Sequence, residues 1–505
     1  MGVKSVDLKR GRLPLRGGPS LLSGVAVAAC CAALVPLPTL SGPAVTTFLA
    51  YFFIAAIAYA VAVARLGRDR LSSRTIWAFA ILFRLILLLN SPPTLSTDVY
   101  RYIWDGRLMN AGANPYAYPV ESPLLDRFDS PQRAMVNQRE MASPYLPAAQ
   151  IFFALIYRLA PDSPIAFQIA AALLDLSAGW LVMDMLSRLG LPRARALIYL
   201  WNPLVVVEFA QGAHVDALMI CLSMAAFWFL IAVPAARQRR ARLFTLGSVI
   251  TLAAATLTKG LPGLLLPVVA RRWGWRRTIL CAGLIVAACL PFAWGAGWGL
   301  VGPLNGEGLL GAIRIYAAYW NYNGGLYHWL EVGLSGYPTP GPAPLEVVGW
   351  APVMAAKLMV AFALALTLVV VWRLGQRWES PSSASEGGDQ DASSPQSLAL
   401  LRWAAVPPAA YLLLTTTIHP WYVTFMVPLL PFLLPKEGEI TRTRRFLWPW
   451  LYFSMAVPLS YLTYFDPAHL REFDFVRLME YAPFYMLLIW AAWSAKGANE
   501  YRRRR

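Results

Sequence analysis

The chain has 505 residues, 58% of them apolar and only 14% charged, with a formal net charge of +17. A soluble domain carries about 25% charged residues, so this balance excludes an ordinary water-soluble globule and assigns much of the chain to hydrocarbon. The positive charge is divided among short segments between apolar stretches, which reports membrane topology and argues against nucleic acid as a partner.

In chain order, fourteen stretches are apolar and long enough to be read as membrane spans: 19–38, 45–65, 76–92, 164–187, 194–210, 214–234, 243–258, 261–270, 277–298, 350–373, 399–417, 420–435, 446–463 and 478–494. The predicted fold is therefore all-α, a polytopic transmembrane helix bundle whose outer loops carry short helices. With the N-terminus in the cytoplasm, the inward-facing segments 1–18, 65–75, 188–195, 237–242, 271–277, 373–402, 436–445 and 496–505 hold 32 of the 44 Lys and Arg. That asymmetry follows the positive-inside rule and places both termini in the cytoplasm. Residues 147–160 look apolar enough to cross, yet crossing there would put Arg188, Arg193 and Arg195 outside. They are predicted to form a helix on the outer face.

The organisation read from this pattern is a cytoplasmic tail (1–18), a transmembrane core (19–374) with outer loops 91–163 and 299–349, a Ser/Gly/acidic linker (375–397), C-terminal spans (398–495) and a basic tail (496–505). The tail is expected to anchor at the membrane surface. The first apolar stretch is expected to be a retained anchor, since further spans follow it directly. The five cysteines all fall in predicted spans without a CxxC pattern and are expected to be core residues. Arg outnumbers Lys 38 to 6, a hint of a GC-rich bacterial genome and hence of a bacterial inner membrane. No internal repeat is evident, which disfavours a transporter of duplicated halves.

The polar chemistry concentrates in the predicted outer loops. In "TDVYRYIWDGRLMNAGANPYAYP", residues 97–119, Ser96 or Thr97 can cap a helix, Gly112 can end it and Asn114-Pro115 makes a turn. Asp98, Tyr102 and Asp105 fall at i, i+4 and i+7, so both carboxylates share a face. Asp98 is either a catalytic base at the lipid–water boundary or a first-turn residue favoured by the helix dipole, and Asp105 is expected to pair with Arg101 one turn back. Arg84 and Asp175 lie near the middle of their spans, where an unpaired charge is costly, and are predicted to pair with each other. Lys357, nearer a span end, is expected to reach water without a partner.

An acidic residue after an early span, then "YRYIWDGR", "GANPYAYP" and "YLP" (145–147), resembles the first outer loop of GT-C glycosyltransferases that use polyprenyl-phosphate sugars. The resemblance is closest to bacterial α-mannosyltransferase-like members and looser to the mannosyltransferase of GPI-anchor synthesis. It continues in "WNPLVVVEFAQGAHVDAL" from Trp201, "TKGLPGLLLP" from Thr258, "YWNYNGGLYHWL" from Tyr319 and "HPWYVTFMVPLLPFLL" from His419. Two departures stand out: "YLP" replaces the more usual "YPP", and Ser96 and Tyr100 occupy the positions where a DxD signature would need a second Asp beside Asp98. The last two spans match no motif of the family.

The resemblance implies transfer of a hexose, by likeness mannose, from a polyprenyl-phosphate donor to an extracytoplasmic glycolipid or glycan acceptor, with inversion in a single displacement. Asp98 is then the base. Lys259, Arg314 and His419 are the outward cations for the donor phosphate, against the alternatives of a snorkelling lysine, a loop charge and a structural turn histidine. Tyr100, Arg101, Asp105, Tyr145, His214, Asp216, Trp320, Tyr322, His328, Trp421 and Tyr422 complete the expected substrate surface. With one carboxylate of the signature missing, no metal or other cofactor is expected, and His214, Asp216 and His419 are assigned hydrogen-bonding duty. The rival is a lipid-linked sugar flippase or secondary transporter, with binding groups at mid-membrane.

Overall fold

The structure is a computed structural model that describes residues 18–232, 238–301, 306–335, 350–379, 393–436, 443–466 and 469–503. These residues fold as helices joined by turns, with isolated bridges and no strand among them. In order, α1 is Gly18–Leu34, α2 Pro43–Ala64, α3 Ser73–Leu87, α4 Asp98–Asn110, α5 Pro147–Leu159, α6 Pro164–Arg188, α7 Asp216–Ala232 and α8 Gln238–Lys259. There follow α9 Leu266–Trp273, α10 Trp275–Ala296, α11 Gly311–Tyr319, α12 Leu326–Ser335, α13 Trp350–Glu379, α14 Ser393–Ala404, α15 Val406–Leu414, α16 Leu447–Ala456 and α17 Asp474–Arg503.

Seven helical stretches among the described residues are long and apolar enough to span a membrane: Pro43–Ala64, Pro164–Arg188, Arg239–Lys259, Trp275–Ala296, Val353–Leu374, Pro395–Leu414 and Asp474–Ser494. Their outward faces are apolar, with Ile54 and Ile57 of α2, Val286 and Trp294 of α10 and Phe362 and Leu366 of α13 exposed, as lipid-facing surfaces require. This is a membrane protein. Every predicted span holds helix, but several are broken into short pieces. α5 has only 13 residues, short of the ~20 that cross a bilayer. α13 runs to Glu379 and α14 begins at Ser393; most of the predicted linker, 380–392, lies outside the described residues, as do 1–17, 302–305, 336–349 and 504–505.

The break between α6 and α7 matters most. Leu197–Leu200 and Pro203–Val206 are single helical turns, followed by a π-helical turn, Val207–Gln211. Pro203 offers no N–H, and the Asn202 side chain caps the new start by accepting from the backbone N–H groups of Leu204 (3.0 Å) and Val205 (3.4 Å). The segment is pinned by Tyr59, whose hydroxyl donates to the Ile198 carbonyl at 2.6 Å, and by Trp201, whose indole N–H donates to the Ile76 carbonyl at 2.9 Å. Irregular backbone at this depth survives only where protein surrounds it, and all of 196–216 is buried.

The predicted pair is formed: Arg84 Nε lies 2.5 Å from Asp175 Oδ2, and the same guanidinium donates to the carbonyls of Ala80 and Leu200, both at 2.9 Å. Lys357 departs from expectation. Its ammonium donates to the carbonyls of Ala317 (3.0 Å) and Ala318 (2.6 Å), satisfying the C-terminal end of α11.

Candidate active site

Helix α4 lies against α5, and Gly106 lets them meet: a Cβ there would stand 2.6 Å from the Phe153 carbonyl oxygen. Tyr102 stacks on Phe153 at 4.5 Å and accepts a 3.4 Å hydrogen bond from the Val215 N–H. Thr97 occupies the cap position without a side-chain bond, and Ser96, one residue earlier, accepts from the Asp98 N–H at 3.1 Å. So anchored, the Asp98 side chain is 17% exposed. Its Oδ1 accepts from Asn137 Nδ2 at 2.8 Å, whereas Oδ2 has only the Tyr145 hydroxyl at 3.4 Å and His214 Nδ1 at 3.7 Å. Oδ2 is thus the less committed oxygen.

Arg101 and Asp105 serve this geometry from behind. Buried Arg101 donates to the carbonyls of Asn137 (2.7 Å), Gln138 (2.7 Å) and Met141 (3.1 Å), strapping down the loop that presents Asn137 to Asp98. The expected Arg101–Asp105 ion pair is not formed, because Asp105 accepts instead from Ser143 Oγ and from Gln150 Nε2 at 2.9 Å. Burial raises the Asp105 carboxyl to about 6. Tyr100 points to the other side of α4, into a cavity of about 300 Å³ bounded by Pro92, Met135 and Ile165, and is not brought to Asp98.

The broken segment contributes two side chains. Glu208 of the π-helical turn and His214 beyond it are fully buried, with His214 Nε2 3.2 Å from Glu208 Oε2. The Tyr461 hydroxyl donates to Glu208 Oε1 at 2.8 Å. Gly212 makes room for the imidazole, since a Cβ there would lie 2.8 Å from His214 Cδ2, and Ala213 takes a left-handed φ of 56° to complete the turn.

Asp216, at the start of α7, holds Lys259, at the end of α8, through a 2.7 Å ion pair. The ammonium sits 4.8 Å from the Tyr422 ring centre and 5.9 Å from that of Trp421. Lys259 is therefore tied into the site and does not snorkel away from it. Trp421 is stacked between His214 (4.0 Å) and His419 (4.5 Å), and His419 continues the stack onto Tyr322 (4.7 Å). Burial pushes the His419 imidazole down to about 3, so it would meet a phosphate as a neutral hydrogen-bonding group and not as the cation read from the sequence.

The segment around Tyr319–Asn323 reaches this wall through backbone. The Ile418 N–H donates to the Tyr322 carbonyl at 2.8 Å, and the Thr416 and Thr417 hydroxyls donate to the Trp320 carbonyl at 3.1 and 3.2 Å. Trp320 packs on Tyr316 at 4.6 Å, and Arg314 lies on the same helix, α11, half-buried. The Asp98 charge adds to burial in holding the Tyr316 hydroxyl above its usual range. His328 lies elsewhere: its Nε2 is 3.1 Å from Arg477 Nη1 on α17, and burial pushes it down to about 4. There Glu472, just before α17, and Glu480 on it accept from the Asn323 backbone N–H (2.9 Å) and side chain (2.6 Å), fastening the Asn-Gly-Gly turn 323–325.

The model of the alpha-(1->6)-mannopyranosyltransferase (MptA/B) family, N-terminal domain, matches residues 20–275. The chain belongs to this family. No curated protein and no solved structure matches the chain. The matched stretch of this mannosyltransferase contains Asp98, Asn137, Tyr145, Glu208, His214, Asp216 and Lys259, whereas the 314–328 segment and the His419–Tyr422 wall lie beyond it. Membership of an enzyme family removes the main ground for the flippase reading, and Arg84 and Asp175, its mid-membrane charges, are spent on each other.

Two residues of the site escape a reading of the sequence. Asn137 carries no signal, since a loop asparagine is ordinary. Glu208 carries one: it is the lone charge in "WNPLVVVEFAQGAH", and an ionisable group inside an apolar run marks a site by default. Among the described residues no three His, Cys, Asp or Glu side chains are grouped as a metal site.

Proposed function

We propose that this mannosyltransferase moves mannose from a polyprenyl-phosphate donor to an extracytoplasmic glycan or glycolipid acceptor in one inverting displacement, at a site on the outer face of a bacterial inner membrane. The observation that carries the reading is the accessibility of the carboxylates in the cluster. Asp98 is 17% exposed, whereas Glu208 and Asp216 are 1% and 0% exposed. A single displacement uses one carboxylate as base; a double displacement needs a second one within reach of the anomeric carbon.

In this reading Asp98 Oδ2 takes the proton of the acceptor hydroxyl as its oxygen attacks the anomeric carbon, and the C–O bond to the phosphate breaks with its electron pair going to the leaving group. Asn137 holds Oδ1 and orients the carboxylate. Lys259, aimed by Asp216 and lying over the Tyr422 ring, meets the charge developing on the departing phosphate, with Arg314 of α11. The proposal routes no step through a metal ion.

The test presents purified enzyme with labelled polyprenyl-phosphate mannose, glucose and arabinose together with a lipid extract, with and without EDTA. The reading predicts transfer from the mannose donor, an α-linked product and full activity in EDTA. A β-linked product, or transfer abolished by EDTA and restored by a divalent ion, would overturn the corresponding part.

A further inference from the structure

Asp98 Oδ2 faces solvent on one side, the side chain being 17% exposed, and protein on the other. Behind it stands the His214 imidazole, with Nδ1 at 3.7 Å from Asp98 and Nε2 at 3.2 Å from Glu208 Oε2. Neither ring nitrogen has an aligned hydrogen-bond partner, nor has Glu208 Oε2, although all three atoms are buried. Leaving buried polar atoms in this state is costly, and a structural imidazole would be expected to have settled into bonds to both neighbours. The ring is held in place by other means: it stacks on Trp421 at 4.0 Å, and Gly212 keeps its edge free. A small rotation about that stack would align both nitrogens with both carboxylates.

We propose that His214 and Glu208 form a proton reservoir for Asp98, a reading that rests on Asp98 being the base. With donor and acceptor bound, the opening at Asp98 is filled and water cannot collect the proton. A proton left on Oδ2 beside the new glycosidic oxygen would favour the reverse reaction. Instead, Asp98 Oδ2–H passes its proton to the free lone pair of His214 Nδ1, and the proton on His214 Nε2 passes to Glu208 Oε2. Asp98 ends as a carboxylate, His214 as the other neutral tautomer and Glu208 as the acid, its Oε1 still accepting from Tyr461. When the product and the polyprenyl phosphate leave, the steps reverse and the proton reaches water through Asp98. His214 and Glu208 act through Asp98 and touch no substrate.

The experiment is a proton inventory: turnover at saturating donor in mixtures of light and heavy water. More than one proton moves in the transition state of a relay, so the wild-type plot is expected to bow. Glu208→Gln, which retains an acceptor for Tyr461 but cannot take a proton in this way, is expected to lose about tenfold to a hundredfold in kcat, keep its donor KM and give a straight plot. His214→Ala leaves a gap against Trp421 and is expected to lose turnover that exogenous imidazole restores while Glu208 is present; this arm stands even if Glu208→Gln does not fold. A bowed plot unchanged in Glu208→Gln, or His214→Ala as active as wild type, would overturn the reservoir while leaving the base intact. Full activity of Asp98→Asn would instead overturn the base.

Discussion

Removing Arg84 should expose how the bundle tolerates charge in its interior. The guanidinium joins three elements: it pairs with Asp175 of α6 at 2.5 Å, bonds the Ala80 carbonyl on its own helix α3 and bonds the Leu200 carbonyl of the broken segment that leads to Glu208. Arg84→Met leaves Asp175 buried without a counter-charge and frees the Leu200 carbonyl, at a cost of about 3–5 kcal/mol. Asp175→Leu strands the arginine and should cost a similar amount. The double variant removes both charges and fills the space with hydrocarbon, so it should return to within about 1–2 kcal/mol of wild type, a coupling of several kcal/mol. The assay is reversible unfolding of each variant in mixed detergent micelles, with mannosyl transfer measured in parallel. The double variant should keep most of its activity, since the pair is structural. Additive losses in stability, or an inactive but stable double variant, would refute the structural assignment and revive a mid-membrane role for these charges.

Other consequences concern the site itself. Asn137→Ala frees Asp98 Oδ1 and should lower kcat by about tenfold, the worth of one hydrogen bond to a charged group, with donor KM unchanged in steady-state assays. Lys259→Met should cost about 10–100-fold in kcat/KM for the donor, with Lys259→Arg recovering part of it; equal donor kinetics in Lys259→Met would remove the lysine from the phosphate side. Asp105 has a folded-state pKa raised from 3.8 to about 6, so its burial disfavours the charged form and stability falls as pH rises through about 6. Asp105→Asn should accordingly be more stable than wild type at pH 7.5, by an amount on the order of 2–3 kcal/mol, with the gap closing below pH 4 in melting curves taken across that range.

Much of this molecule is legible in its residues, for identifiable reasons. The apolar stretches report helices because lipid leaves the backbone no other way to satisfy itself, and the helix at Asp98 announces itself through Ser96 and Gly112. Arg84 and Asp175 find each other because the apolar interior offers neither of them another counter-charge. What stays hidden depends on contacts between distant segments. Nothing local tells Arg101 to bind carbonyls 36 to 40 residues away and not Asp105 four residues on. Nor could a sequence show that Trp421 would stack with two imidazoles, or that His328 would turn to Arg477 and away from Asp98. The breaks within 193–211, read from the sequence as one span, fall at Asn202-Pro203 and at a π-helical turn that has no sequence signature; its product, the Glu208–His214 contact, emerges only when the chain is folded.

The account turns on Asp98, the accessible carboxylate of a cluster whose other acids are closed. Its direct test is transfer of labelled mannose from polyprenyl-phosphate mannose by Asp98→Asn, in enzyme shown to be folded and to bind the donor as wild type does. The amide keeps the size of the side chain and an oxygen for Asn137, and loses only the capacity to take a proton. Turnover should fall by about 10²–10⁴ with donor binding unchanged. Turnover within a few-fold of wild type would contradict the assignment of the base and, with it, the mechanism built around it.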